Sequence, residues 1–352
     1  MSIIVIKPID PRLPASARLD GVLNFALEII GHETIHTAEQ LKHFSGKKLL
    51  FAIDLGDDGI NLEYIKMLSK IRNHTSILNG CTAGIIVNGN GPLYTKSLAS
   101  ELVLAANLSG CAFLGRPLVE GTGSLENFKI QAKNAGCGLF DAYKLAAKEL
   151  VGRLINEEFA KIEKPELLVL HASNHRTSNT MSLWNEVKSR LGDRFFYNEI
   201  GLRNGTLSDC SGCPYTMCLH FGERGSCFYG GVMQEKVYPA VRSCNGIIML
   251  CPNYNDALSA NLTAFINRLT ALFRQVRFYD KALFSLVVSG YSGGDIVARQ
   301  LISALNMNKS VYLPQNFAMI ETANNPGEAV ALEGIGKRLD SFAENICNTL
   351  IK

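Results

Sequence analysis

The sequence has little excess of either charge: 35 basic against 32 acidic residues leave +3 over 352 residues. So even a balance gives no electrostatic footprint for nucleic acid or an anionic membrane surface. Long apolar runs are missing too. The most apolar stretches, 49–53 and 283–288, are strand-length and far short of a bilayer span. The start, Met-Ser-Ile-Ile-Val-Ile-Lys-Pro, lacks the extended apolar core and cleavage site of a secretory signal. A cytoplasmic protein, with neither nucleic acid nor membrane as partner, is the expectation. No Ser–His–Asp set or metal-hydrolase motif stands out, so no side chain is assigned as a general acid or base.

What is present is a globular composition, 47% hydrophobic and 19% charged, over a length that suits two domains. Apolar runs alternate with amphipathic helical patterns, which argues for α/β layers around parallel sheets. In the second half the expected strands are 166–171, 195–198, 246–251, 284–289 and 310–313. Helices are expected over 179–191, 256–273, 295–305 and 327–350. Such an alternation matches a doubly wound sheet. The first half follows the plan more weakly, with strands at 2–6, 48–54 and 83–88 and helices at 19–30, 98–108 and 140–156. A charged segment ending in Pro165 places the boundary within 157–165, giving domains 1–160 and 161–352. Gly84-Ile85-Ile86 with Pro92-Leu93-Tyr94, Leu98 and Leu102 parallels Gly246-Ile247-Ile248 with Pro252-Asn253-Tyr254, Leu258 and Leu262. The reading is a duplicated unit with one degenerate copy; the alternative is a chance match between two strand–loop–helix segments.

Three loops in the second half leave strands at the edge where open α/β sheets bind ligands. The first runs from His171 to Thr180. A phosphate monoester there would meet the N-terminus of a helix, with Ser173, Ser178 and Thr180 hydroxyls, the Asn179 amide and the Arg176 guanidinium as donors. An ordinary N-cap explains the same residues equally well. The second loop is Cys251-Pro252-Asn253-Tyr254-Asn255-Asp256, whose polar groups and tyrosine suit the edge and face of a planar ring, or merely pack the sheet end. The third is Ser289-Gly290-Tyr291-Ser292-Gly293-Gly294, whose glycines are expected to let backbone approach a flat ligand.

From Glu166 to about Gly294 the chain resembles the NADPH-dependent FMN reductase family, especially its iron-sulfur flavoprotein branch. The family's phosphate motif, Gly/Ala-Ser-x-Arg-x-x-Ser-Asn-Thr, is similar to residues 172–180, Ala-Ser-Asn-His-Arg-Thr-Ser-Asn-Thr. Its ring-binding Pro-x-Tyr and the helix after it resemble Pro252-Asn253-Tyr254 and Ser259 to Arg268, with Asn267 where the family usually has Asp. The resemblance implies two flavodoxin-like three-layer α/β/α domains with parallel sheets, the N-terminal one degenerate. It also implies noncovalent FMN, NAD(P)H as co-substrate, and a homo-oligomer. FMN would be held by Ser173, Arg176, Ser178, Asn179 and Thr180, by Pro252 through Asp256, and by Ser289, Gly290, Tyr291, Gly293 and Gly294.

Four of the ten cysteines, Cys210, Cys213, Cys218 and Cys227, crowd a Gly-rich insertion at 208–230. The branch resembled carries a cysteine motif there that ligates a [4Fe-4S] cluster, but with two residues rather than four between the second and third cysteines. Iron-sulfur, a four-cysteine zinc site and free redox-active thiols all remain open. The activity implied is hydride transfer from NAD(P)H to FMN and on to a small-molecule or protein acceptor, through a cluster if one is present. The alternatives are an electron carrier without a nicotinamide site and a scaffold with a vacant pocket. The first-half loop from Asp10 to Arg18 is proline-interrupted and starts with an acid, so that half is expected to bind no FMN.

Overall fold

Runs such as Ile3-Ile4-Val5-Ile6 and Leu167-Leu168-Val169-Leu170 are apolar at every position, which suits strands covered on both faces. The computed structural model describes residues 2–173 and 177–352 and places both runs at the heart of parallel sheets. The chain separates into two compact units between Glu158 and Phe159.

In the first unit, strands β1 (Ile3–Ile6), β2 (His32–Ile35), β3 (Lys48–Asp54), β4 (Thr82–Asn88) and β5 (Ala112–Gly121) form one sheet ordered β2-β1-β3-β4-β5. Helices α1 (Ala17–Ala26), α2 (Leu62–Arg72), α3 (Thr95–Leu108), α4 (Lys129–Ala135) and α5 (Leu139–Asn156) complete it. Ile3, Val5, Leu50, Ala52 and Ile86 pack with α1 and α5. The alternate residues Ile4, Ile6, Leu49, Phe51 and Ile85 are also buried, so both sheet faces are covered.

The second unit repeats the topology. Its strands are β6 (Glu166–His171), β7 (Phe196–Gly201), β8 (Gly246–Pro252), β9 (Ala282–Ser289) and β10 (Ala318–Thr322), ordered β10-β9-β8-β6-β7. Helices α6 (Asn179–Leu191), α7 (Tyr215–Gly222), α8 (Tyr238–Ser243), α9 (Ala260–Phe273), α10 (Gly294–Leu301) and α11 (Ile335–Leu350) surround it. Spacing of Leu339, Phe342, Ala343, Ile346 and Leu350 gives α11 one apolar stripe, which packs beside α6 over Val169, Ile248 and Phe284. Each unit therefore carries the 2-1-3-4-5 order of flavodoxin-like folds.

Several elements differ from the sequence reading. The fifth strand of the second sheet is β10, not 310–313, where Tyr312 contributes only a single bridge to Ala282 before Pro314. Glu321 disguises β10: its carboxylate is buried, satisfied by Arg338 Nε (2.7 Å) and Nη2 (2.9 Å). The last helix starts at Ile335 rather than 327, because Asn-Pro-Gly at 325–327 breaks the pattern and Gly334 turns left-handed (φ 68°) ahead of it. Edge strand β2 was missed because His-Glu-Thr-Ile reads as polar, and β5 because Pro117 and a register shift against β4 interrupt it. The internal match also changes meaning. Gly84 lies in β4, the fourth strand of its unit, whereas Gly246 lies in β8, the third of the other, so the matched segments are not structural counterparts. The duplication holds at the level of topology and not in that alignment.

Candidate functional site

Strand register places the loops of the second unit side by side. His171 pairs with Leu250 and Gly201, Pro252 with Val288, and Ser289 with Thr322, so β6, β8, β9 and β10 end nearly level. The chain order reverses between β6 and β8, the position where such sheets open a crevice.

After β6, the start of α6 forms a hydroxyl chain. Ser178 caps the helix, accepting from the Met181 amide (3.3 Å), and lies 2.9 Å from Thr180 Oγ1, which is 3.4 Å from Ser173 Oγ. No acid occupies the first turn of α6, so its positive end stays uncompensated. Arg176 lies outside the described residues, with 174 and 175. Asn179 is committed elsewhere: its amide donates to Asn325 O (2.9 Å) and accepts from Ala329 N (3.3 Å). It braces the loop after β10 with one amide hydrogen and its oxygen.

After β8, Tyr254 and Ala257 exchange two backbone hydrogen bonds of 3.2 Å around Asn255 (φ 53°) and Asp256 (φ 57°). Two successive left-handed residues make a tight two-residue hairpin, a conformation that Asn and Asp tolerate better than other side chains. The turn holds Tyr254 with its ring 57% exposed. Asn253 reaches across to the next loop. Its Nδ2 lies 2.7 Å from Ser289 Oγ, 3.0 Å from Ser292 O and 3.2 Å from Asp256 Oδ1. Asn253 Oδ1 and Ser259 Oγ are buried polar atoms without a partner in this same segment.

The glycines of the third loop also let neighbouring loops close on one another. A Cβ on Gly293 (φ 85°) would run into Asp256 Oδ1 and lie 3.0 Å from Asn253 Nδ2, and one on Gly294 would press on Ile320. One on Gly290 would stand 3.0 Å from Asn324 Oδ1. Their smallness closes loop against loop, and the exposed group is instead the Tyr291 ring, 82% accessible. A fourth loop, 323–328, escaped the sequence reading because the fifth strand was placed too early. Its Asn-Asn-Pro-Gly turn signal was visible. There the Asn325 and Asn324 amides, each 2.8 Å from Glu328 Oε2, hold that carboxyl below its ordinary range.

The groups present suit FMN: hydroxyls at an uncompensated helix N-terminus for a phosphate, and the exposed Tyr254 and Tyr291 beside it for a ring. FMN therefore fits this edge.

The cysteine segment lies along α9. Asn261 binds Leu202 O (2.6 Å), Asn267 binds Asp209 Oδ1 (3.0 Å), and Arg268 straps both ends of the insertion through Ser208 O (3.3 Å) and Gly230 O (2.7 Å). Arg274 Nη2 stands 3.9 Å from Cys218 Sγ. Asn267 and Arg274 thus fasten the segment to α9 at two points, beside Cys210 and at Cys218. Among the described residues no group of three or more His, Cys, Asp or Glu could hold a metal ion. Cys210, Cys213, Cys218 and Cys227, read from the sequence as ligands of one metal or [4Fe-4S] centre, therefore form no such group among the described residues. Cys244 and Cys251 are fully buried, and burial pushes both thiols up to about 12.

At the corresponding edge of the first unit the chain supplies its own cation. Arg18 donates to Asn88 Oδ1 (2.6 Å), Gly89 O (2.7 Å), Thr122 O (3.2 Å) and Gly123 O (3.0 Å). Asp10 is also used internally, binding Arg12 and capping α2 at the Leu62 amide (2.6 Å). Among the described residues, no helix of the chain is long and apolar enough to cross a membrane.

Residues 165–325 match the family model described as NADPH-dependent FMN reductase. No curated protein sequence matches the chain. Among solved structures, the chain is similar to an NAD(P)H:quinone oxidoreductase from Methanothermobacter marburgensis (15% identity, 52% of this chain and 99% of that one, TM-score 0.40). It is also similar to the apo form of an NADH:FMN oxidoreductase (16%, 53% and 90%, 0.36) and to an azoreductase from Bacillus anthracis (13%, 54% and 100%, 0.37).

Proposed function

We propose that the protein is an FMN-dependent oxidoreductase that takes hydride from NAD(P)H and passes electrons directly to an acceptor. The observation that carries this reading is the junction of loops through Asn253, which joins the ends of β8 and β9 into one surface next to the hydroxyl-lined start of α6. The match of residues 165–325 to the FMN reductase family supports the same chemistry.

In this reading Ser173, Ser178 and Thr180, with the first-turn amides of α6, hold the phosphate. The backbone and side chains at 252–256 and 289–293 hold the ring system. Tyr254 and Tyr291 flank the ring and exclude water on the side open to the co-substrate. Bound FMN supplies the hydride and electron chemistry, and the chain supplies position and electrostatics. No electron route through the cysteines belongs to the proposal. Homo-oligomer formation is proposed on the resemblance alone.

The test is anaerobic titration of the FMN-loaded protein with NADPH and with NADH, followed at the flavin absorbance. Stoichiometric bleaching and recovery on adding a quinone support the reading. Failure to take up FMN rejects it, while FMN uptake without reduction by either nucleotide points to an electron carrier.

A further inference from the structure

Cys213 and Cys218 occupy special positions at the start of α7. Pro214 is the N-cap, so Cys213 is the residue before the cap and Cys218 the fourth helical residue. These are the two positions that a hydrophobic staple brings together across a helix start. The Cys218 amide bonds Pro214 O at 3.0 Å, closing the first turn at that residue. Both thiols are half-buried. One carries a cation: Arg274 Nη2 is 3.9 Å from Cys218 Sγ, with its guanidinium 5.1 Å over the Tyr215 ring. Partly exposed sulfur in an electropositive setting is the reactive kind. Cys210, in contrast, sits exposed beside Asp209 and lower on α9.

We propose that Cys213 and Cys218 form a reversible dithiol–disulfide pair, oxidised by hydrogen peroxide with Cys218 as the attacking sulfur. Cys218 as thiolate attacks one peroxide oxygen; the S–O bond forms, the O–O bond breaks, and hydroxide leaves, taking up the thiol's proton to become water. The Cys213 thiol then attacks Cys218 sulfur; the S–S bond forms, the S–O bond breaks, and the oxygen departs as a second water. Two thiols and one peroxide thus give one disulfide and two waters, and an external dithiol reverses the change. Arg274, with Nη2 3.9 Å from Cys218 Sγ, is a positioning residue for the attacking sulfur. The pair does not depend on the flavin reading, because peroxide is supplied from outside.

The experiment treats the full-length protein with hydrogen peroxide, alkylates free thiols and sequences peptides by mass spectrometry without reduction. The peptide from Asn204 to Arg224 holds Cys210, Cys213 and Cys218. Expected is alkylation of Cys210 alone, with Cys213 and Cys218 joined and both recovered after dithiothreitol. In C213S, Cys218 should stop at sulfenic acid and be trapped by dimedone. In R274Q, disulfide formation should slow several-fold while the disulfide formed is the same. Pairing of Cys218 with Cys227 or Cys210 overturns the proposal. So does oxidation of Cys218 no faster than Cys137, or reactivity that appears only after a chelator strips bound metal.

Discussion

Asn253 Nδ2 lies 2.7 Å from Ser289 Oγ, and through that contact the loop after β8 is fixed to the loop after β9. The same amide reaches Ser292 O and Asp256 Oδ1. One side chain therefore sets the shape of two of the three loops assigned to FMN. Removing it should cost about 1–2 kcal/mol of loop organisation, roughly a tenfold loss in FMN affinity. Asn253→Ala checked by flavin fluorescence titration should show that loss, with Tm lowered by no more than a few degrees. Asn253→Asp should be worse, since it sets a carboxylate against Asp256 and Ser292 O.

Gly293 tests the same junction from the other side. At φ 85°, with Asp256 filling the space of a side chain, Gly293→Ala should destabilise the second unit by about 1–3 kcal/mol. The double variant with Asp256→Gly should recover part of this in thermal unfolding, because the collision goes and the backbone strain stays.

Asn267 stands where the resembled family usually has Asp, and Asp209 explains why. An acid at 267 would face the Asp209 carboxylate, now 3.0 Å from the Asn267 amide. Asn267→Asp should cost up to about 1 kcal/mol at neutral pH, the range of exposed charge pairs. Repulsion raises the folded-state pKa of the pair, so the penalty fades as pH falls through the carboxylate range. Urea unfolding at pH 7 and pH 3 reads the difference.

In the first unit Asp10 gives the opposite pH dependence. The Arg12 guanidinium and the Leu62 amide hold its carboxyl well below its ordinary value of 3.8. A depressed folded pKa contributes stability that is fully present above the unfolded value and lost as pH falls toward the folded one. Asp10→Asn should therefore lower Tm at pH 7, with the gap to the wild-type chain closing below about pH 4.

Much of this was legible in the sequence where one segment suffices. The fully apolar strands, the Ser178 cap and the stripe of α6 and α11 are local patterns. Strand β10 was not legible, because Glu321 looks like a surface residue until Arg338, seventeen positions later, is seen to bind it. The loop residues were recognisable, but their division of labour was not. Asn179 and Gly293 read as ligand groups, yet their partners at 325, 329 and 256 come from distant segments. Cysteine spacing suggested one metal site, yet among the described residues no group that could hold a metal ion forms.

The central claim is that one edge, that of the second unit, holds FMN while Arg18 fills the other with the chain's own cation. Equilibrium dialysis of the full chain against FMN, with visible absorbance and protein quantitation, tests this most directly. The account predicts one FMN per chain, retained in Arg18→Met and weakened in Asn253→Ala. No binding, two flavins per chain, or binding unaffected by Asn253→Ala would contradict it.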